Sequence, residues 1–296
     1  MSTPRFLDLP TGVRSARLGT SRGDFAVLEA GPAEWSSAVP GSVALLLPGW
    51  TGSKEDFLSL LPLLARTGRR AVAVDQRGQY ETAGPDEPSA YDLNELGLDA
   101  YAMAEAMDAG PVHLVGHSFG GLIARAAVLA KPEAFASLTL LGSGPAGLGG
   151  QQAQLLNLMV EAIPTQGLAA VYAAKRELER RNGAAEEPAH IEEFLARRFR
   201  ANNPVSLTAF TRQLVTAPDL VAELAATGVP AMVAFGVDDD AWSPAVQREM
   251  ADRLGAQVHE IEGAGHSPAV DRPEATADAL TAYWNSLSRD AATSAG

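Results

Sequence analysis

Ser118 stands in the stretch Gly116-His117-Ser118-Phe119-Gly120-Gly121, directly after the apolar run Val112–Val115 and ahead of a helical pattern. A serine at such a strand–turn–helix junction sits on a tight, strained turn with its hydroxyl presented outward, as a nucleophile requires. Glycines two residues before and two after it are needed because side chains there would meet the neighbouring strand and helix. The helix behind the serine aims free N–H groups at the same point, favouring negative charge that develops on a substrate oxygen. A second turn, Pro48-Gly49-Trp50-Thr51-Gly52, closes the run Val43–Leu47. The backbone N–H of Trp50, with that of Phe119, would form an oxyanion hole. The chemistry implied is attack by a serine hydroxyl on an acyl carbonyl.

Such a serine needs a base, and the base needs an acid, following in the chain order acid, then histidine. The sequence has 5 histidines. His113 lies inside a strand pattern, and His117 adjoins the nucleophile and is expected to face away from it. His190 sits beside Glu187 and Pro188 in a polar stretch, and His259 in a weak strand. His266 differs from these: Glu262-Gly263-Ala264-Gly265-His266-Ser267-Pro268 is a glycine-rich loop between a strand and the last helix. For the acid, Phe235-Gly236-Val237-Asp238-Asp239-Asp240 follows the run Ala231–Phe235. One of these aspartates can hydrogen-bond His266 and stabilise its imidazolium; the other two read as solvated loop charges. A calcium loop is disfavoured, since alternating oxygen ligands and a matching downstream glutamate are missing. No metal and no cofactor are expected.

The elements that must position these groups alternate. Apolar runs without polar alternation occur at Val43–Leu47, Ala71–Val74, Val112–Val115, Leu138–Leu141 and Ala231–Phe235, with a weaker one at Gln257–Ile261. These predict parallel strands buried on both faces. Helical patterns fall at Ser53–Arg66, Asn94–Ala109, Phe119–Ala130, Pro244–Leu254 and Pro273–Leu287, which predicts a doubly wound, mostly parallel sheet. Arg14–Arg17 and Asp24–Glu29 predict an antiparallel hairpin leading in. After Leu141 the alternation stops. Leu155, Leu156, Met159, Val160 and Ile163 have helical spacing, as do Ile191, Leu195 and Phe199, and Asn203-Pro204 reads as an N-cap followed by proline at the first helical position. The expected organisation is a core of residues 1–145 and 217–296 with an inserted helical cap at 146–216.

At this point the chain resembles the α/β-hydrolase superfamily, in its esterase- and lipase-like branch of serine hydrolases with a helical cap. The resemblance runs from about Val43 to the last helix. It implies an α/β-hydrolase fold and selects Asp239, which lies three residues after Gly236 in a G-x-x-D loop, as the catalytic acid beside Ser118 and His266. Gly263-Ala264-Gly265-His266-Ser267 resembles the family's histidine loop, and Asp75-Gln76-Arg77-Gly78 the loop after its second parallel strand. Many members have His-Gly where this chain has Pro48-Gly49. The implied activity is cleavage of a carboxylic ester or related acyl bond of a small molecule through an acyl-enzyme. The superfamily also includes lyases, acyl transferases, cofactor-free perhydrolysis catalysts and non-catalytic binding proteins, and fold alone does not choose among these.

Composition narrows the partners. Formal net charge is -13 over 296 residues, which argues against nucleic acid and anionic membrane. Between Ala146 and Thr216 there are eight Lys/Arg against seven Asp/Glu, so the remainder of the chain carries about -14. There is no cysteine, which removes thiolate catalysis and disulfides. No secretory or membrane-length apolar run is evident, so a cytoplasmic protein is expected, with a homo-oligomer left open. Gly142-Ser143-Gly144-Pro145-Ala146-Gly147 formally matches a dinucleotide fingerprint, but it follows the fourth parallel strand rather than the first. In the 146–216 segment, Arg176, Arg180, Arg181, Arg197, Arg198 and Arg200 could attract an anionic substrate. The i,i+4 pairs Glu177/Arg181 and Glu193/Arg197 favour solvated helix faces instead. Leu155, Leu156, Met159, Phe194 and Phe199 are expected to be packing core rather than pocket wall.

Overall fold

The apolar runs form the centre of a single mixed sheet. The computed structural model describes residues 2–32 and 43–294, with side chains described through 289. Its strands are β1 (Val13–Thr20), β2 (Gly23–Ala30), β3 (Val43–Leu47), β4 (Arg70–Val74), β5 (Val112–His117), β6 (Phe135–Leu141), β7 (Ala231–Gly236) and β8 (Gln257–Ile261). The helices are α1 (Leu61–Ala65), α2 (Leu93–Ala106), α3 (Phe119–Ala130), α4 (Gly150–Arg181), α5 (Ala189–Ala201), α6 (Pro204–Thr216), α7 (Val221–Ala226), α8 (Pro244–Leu254), α9 (Pro268–Asp271) and α10 (Pro273–Ser294).

Strand order is β1-β2-β4-β3-β5-β6-β7-β8. The β1/β2 hairpin and the β2/β4 pair are antiparallel, and from β4 onward every pair is parallel. All of β3 is buried, yet successive side chains serve opposite layers, as strand geometry requires. Val43, Leu45 and Leu47 pack with Leu96 and Met103 of α2 and Leu122 of α3. Ala44 and Leu46 pack with Leu61 of α1 and Leu280 and Trp284 of α10. Each Leu or Val buried this way contributes roughly 1.5–3 kcal/mol of apolar transfer. The parallel strands thereby become a firm platform with their C-terminal ends on one edge.

The expected helix over Ser53–Arg66 is broken. A 3-10 turn at Lys54–Phe57 is followed by α1. Pro62 explains the break, because it has no N–H to give the carbonyl four residues back and its ring crowds that carbonyl, so a helix can only start around it.

Between β6 and β7 the chain makes α4, α5, α6 and α7, and the first three carry a core of their own: Ile163, Val171, Phe194, Leu195, Phe199 and Leu207. Helix α4 is kinked at Gly167 (φ 76, ψ 163), three residues after Pro164. The Asn203 side chain accepts from the N–H groups of Val205 and Ser206, the cap expected at α6. Arg198 departs from the expected solvated face. It is fully buried and donates to Asp56 Oδ1 at 2.7 Å and to the Ser2 carbonyl at 2.7 Å, tying α5 to the turn after β3. Arg181 does pair with Glu177 at 2.8 Å, on the exposed surface. Among the described residues no helix is long and apolar enough to cross a membrane.

Candidate active site

Ser118 leaves β5 with φ 55 and ψ -120, a backbone conformation uncommon for any residue with a Cβ. Two contacts enforce the turn. Its N–H donates to the Leu141 carbonyl at 2.9 Å, and the N–H of Gly121 returns to the Ser118 carbonyl at 2.8 Å. The flanking glycines are required by close approach: a Cβ on Gly116 would lie 2.3 Å from the Gly120 oxygen, and one on Gly120 would lie 2.4 Å from the Leu47 oxygen. Strand β5, helix α3 and the end of β3 thus meet at distances that only bare backbone allows. Phe119 is the first residue of α3, so its N–H has no intrahelical acceptor.

His266 follows β8 on its glycine-rich loop, and Asp239 follows β7. The His266 Nε2 is 2.9 Å from Ser118 Oγ, and its Nδ1 is 2.9 Å from Asp239 Oδ1. The carboxylate can only accept, so Nδ1 carries the proton and Nε2 presents a lone pair to the serine hydroxyl. Asp239 is buried, whereas Asp238 and Asp240 are exposed. Its Oδ1 also accepts the Ala241 N–H at 2.9 Å, and its Oδ2 accepts Gln247 Nε2 at 2.9 Å. Burial alone would raise the Asp239 pKa. Hydrogen bonding and charge from His266, with the Ala241 and Gln247 donors, outweigh it and hold the carboxyl below the usual aspartate range. The structure therefore brings Ser118, His266 and Asp239 into one hydrogen-bonded chain and keeps the acid ionised.

Trp50 and Gly49 border the same cavity, of about 330 Å³, together with Ser118 and His266. Leu148, Leu155, Leu156 and Leu214 line its apolar side. Of the apolar residues expected to be core, Leu155 and Leu156 line the cavity, Leu156 being buried in the main core as well, while Phe194 and Phe199 are core and Met159 packs against them. Among the described residues no three His, Asp or Glu side chains converge to hold a metal ion. The Gly142–Gly147 stretch has a packing explanation. A Cβ on Gly144 would fall 2.1 Å from the Trp242 ring, and the Gly147 and Leu148 N–H groups are spent on the Ala217 and Leu214 carbonyls. Those amides are unavailable to a pyrophosphate.

His117 does more than turn away from the serine. Its Nε2–H donates to the His266 carbonyl at 2.8 Å, and the two rings stand 5.1 Å apart. Sequence reasoning also missed Gln247, because nothing in its local spacing marks a residue of α8 as the second partner of Asp239. Burial, with repulsion from the neighbouring His266, pushes the His117 ring down to about 3 from an ordinary 6.5. The unfolded chain therefore binds more protons than the folded one between those values. Stability is full above about pH 6.5 and falls as pH drops towards about 3. We expect the melting temperature to decline from about pH 7 to about pH 4.5, and less steeply in a His117→Gln variant. Equal declines in the two proteins would show that another group carries the effect.

Residues 44–279 match the model of the alpha/beta hydrolase family. A dihydrolipoyllysine-residue acetyltransferase component of the acetoin cleaving system of Pseudomonas putida is 35% identical over 109 residues, 37% of this chain; the chain spans only 28% of that protein's length. A proline iminopeptidase of Lactobacillus helveticus is 25% identical over 259 residues, covering 78% of this chain and 85% of the relative. Among solved structures, a carboxylesterase from the ammonia-oxidizing thaumarchaeon Nitrososphaera gargenis superposes with a TM-score of 0.75 at 20% identity, covering 93% of this chain and 100% of that one. The family match extends from β3 into α10, over most of the sheet and the loops that bear the serine, aspartate and histidine, and the chain belongs to the alpha/beta hydrolase family.

Proposed function

We propose that this protein is a serine hydrolase that cleaves a carboxylic ester, or a related acyl bond, of a small molecule. The observation that carries this reading is the pair of 2.9 Å contacts that His266 makes with Ser118 and Asp239. Ser118 Oγ attacks the acyl carbon as His266 Nε2 takes its proton, and the carbonyl oxygen becomes an oxyanion facing the N–H groups of Trp50 and Phe119. Collapse expels the alcohol, protonated by His266, and leaves an acyl-Ser118. Water then repeats the sequence with the same base and releases the acid. The carboxylesterase and iminopeptidase resemblances support acyl chemistry of this kind, on an ester or an amide. Residues 146–216 act as a cap in this reading, and the cavity's leucine wall receives the acyl chain.

A p-nitrophenyl ester series of graded acyl length tests it. Purified protein is expected to hydrolyse at least the shorter esters, with no loss of rate on chelation. Absence of turnover across the series would overturn the ester assignment, and activity abolished by a chelator would overturn the metal-free mechanism.

A further inference from the structure

The Trp50 N–H can hold an oxyanion only if the Gly49–Trp50 peptide plane is held in one orientation, and a buried side chain from a different loop does this. Gln79 follows Asp75-Gln76-Arg77-Gly78 after β4 and has no exposed surface. Its Nε2 donates to the Gly49 carbonyl at 2.9 Å and approaches the Trp50 carbonyl at 3.5 Å. The Gly52 N–H reaches the same Gly49 oxygen at 3.1 Å. In a trans peptide the carbonyl and the following N–H point to opposite sides. Two donors on the Gly49 oxygen therefore turn the Trp50 N–H away from Gln79. The opposite side is the cavity: Gly49, Trp50, Ser118 and His266 line it, and Gln79 does not.

The Gln79 amide has no freedom to reverse. Its Oε1 accepts the Gln76 N–H at 3.0 Å, so a flip would set oxygen against the Gly49 oxygen and NH2 against the Gln76 N–H. Donation to a peptide carbonyl also polarises that peptide and strengthens its N–H as a donor. We infer that Gln79 is a positioning residue for the oxyanion hole, acting through the Gly49–Trp50 peptide. This rests on the serine-hydrolase reading above.

Two variants test it on the full chain. Gln79→Met keeps the volume and removes the donor. Gln79→Glu keeps the shape but places an acceptor against the Gly49 oxygen, and becomes a donor when protonated. Outright loss of an oxyanion donor costs about 10²–10³ in kcat, so loss of its positioning should cost roughly 10–100-fold, with KM changed little. Affinity for a trifluoromethyl ketone should fall by a similar factor. In that adduct the Ser118 Oγ–carbon bond forms as the ketone C=O opens, the proton passes to His266, and the oxyanion occupies the hole.

The kcat of Gln79→Glu relative to wild type should recover as pH is lowered, whereas that of Gln79→Met should not. Folded Gln79→Met with wild-type kcat and wild-type ketone affinity would overturn the inference, as would a Gln79→Glu ratio flat with pH. Should Gln79→Met fail to fold, the pH profile of Gln79→Glu decides. Ester turnover by the wild-type protein is the control. Its absence refutes the hydrolase reading itself, whereas its presence with unaffected variants refutes only the role of Gln79.

Discussion

Replacing Ser118 by alanine is expected to lower ester turnover on the order of 10⁶-fold, leaving only the residual rate that binding and the oxyanion donors supply. The size of the effect follows from the chemistry. Without Oγ no acyl-enzyme forms, and His266 has no proton to accept from the protein. The fold should survive, because the turn is held by the Ser118 N–H on Leu141 and the Gly121 N–H on the Ser118 carbonyl, both backbone contacts. Ser118→Gly should be equally inactive but more stable than Ser118→Ala, since glycine adopts the positive φ of 55 without strain. Kinetics on one activated ester, with thermal melts of all three proteins, check both halves. An alanine variant that keeps substantial turnover would show that Ser118 is not the nucleophile.

The second large effect is expected at Asp239, where Asp239→Asn should cost on the order of 10⁴ in turnover. The carboxylate accepts from three groups, and an asparagine cannot. With its oxygen towards His266 and the Ala241 N–H, its NH2 opposes Gln247 Nε2. Gln247 cannot reverse, because the same Nε2 also donates to the Trp242 carbonyl at 2.7 Å. With its NH2 towards His266, the ring is driven to the tautomer whose Nε2 bears hydrogen and cannot accept from serine. Either arrangement also removes the negative charge that stabilises the imidazolium. Asp238→Asn and Asp240→Asn should change turnover by no more than a few-fold, as both side chains are exposed. Three single variants, each checked for folding by circular dichroism, make the comparison. Collapse in the Asp238 or Asp240 variant with Asp239→Asn near normal would move the acid to a neighbour.

The elements that could be read from the sequence are those whose pattern is local. Val43–Leu47 and Gln257–Ile261 occur as strands with the expected bounds, and Phe119–Ala130 and Pro244–Leu254 as helices with theirs. Each has a glycine, serine or proline marking at least one end, and all but the exposed β8 carry a plain apolar pattern. Strand β6 begins at Phe135 rather than Leu138, because Ser137 reads as polar yet is buried, its hydroxyl 2.8 Å from His113 Nδ1. Ser118 and His266 could be picked out because each lies on a short loop just past a strand, which is where parallel sheets gather function. The same position left three adjacent aspartates open, and only the spacing that the family resemblance implies selected Asp239. Contacts made across the fold were not legible. Gln79 reaches Gly49, His117 reaches the His266 carbonyl, and Arg198 reaches Asp56 and Ser2 across contacts that no local spacing encodes. An arginine within a charged helix looks the same in sequence whether it faces solvent or a buried aspartate.

Activation of Ser118 as a nucleophile by His266 and Asp239 should be visible in covalent labelling with a fluorophosphonate. Phosphorus then takes the place of the acyl carbon: Ser118 Oγ bonds to it, fluoride leaves, and the serine proton passes to His266. Digestion and mass spectrometry of the wild-type protein should place a single adduct on Ser118. Labelling should be absent in Ser118→Ala and much slower in His266→Ala and Asp239→Asn. An unlabelled wild-type protein, or an adduct on another serine such as Ser143 or Ser267, would contradict the account.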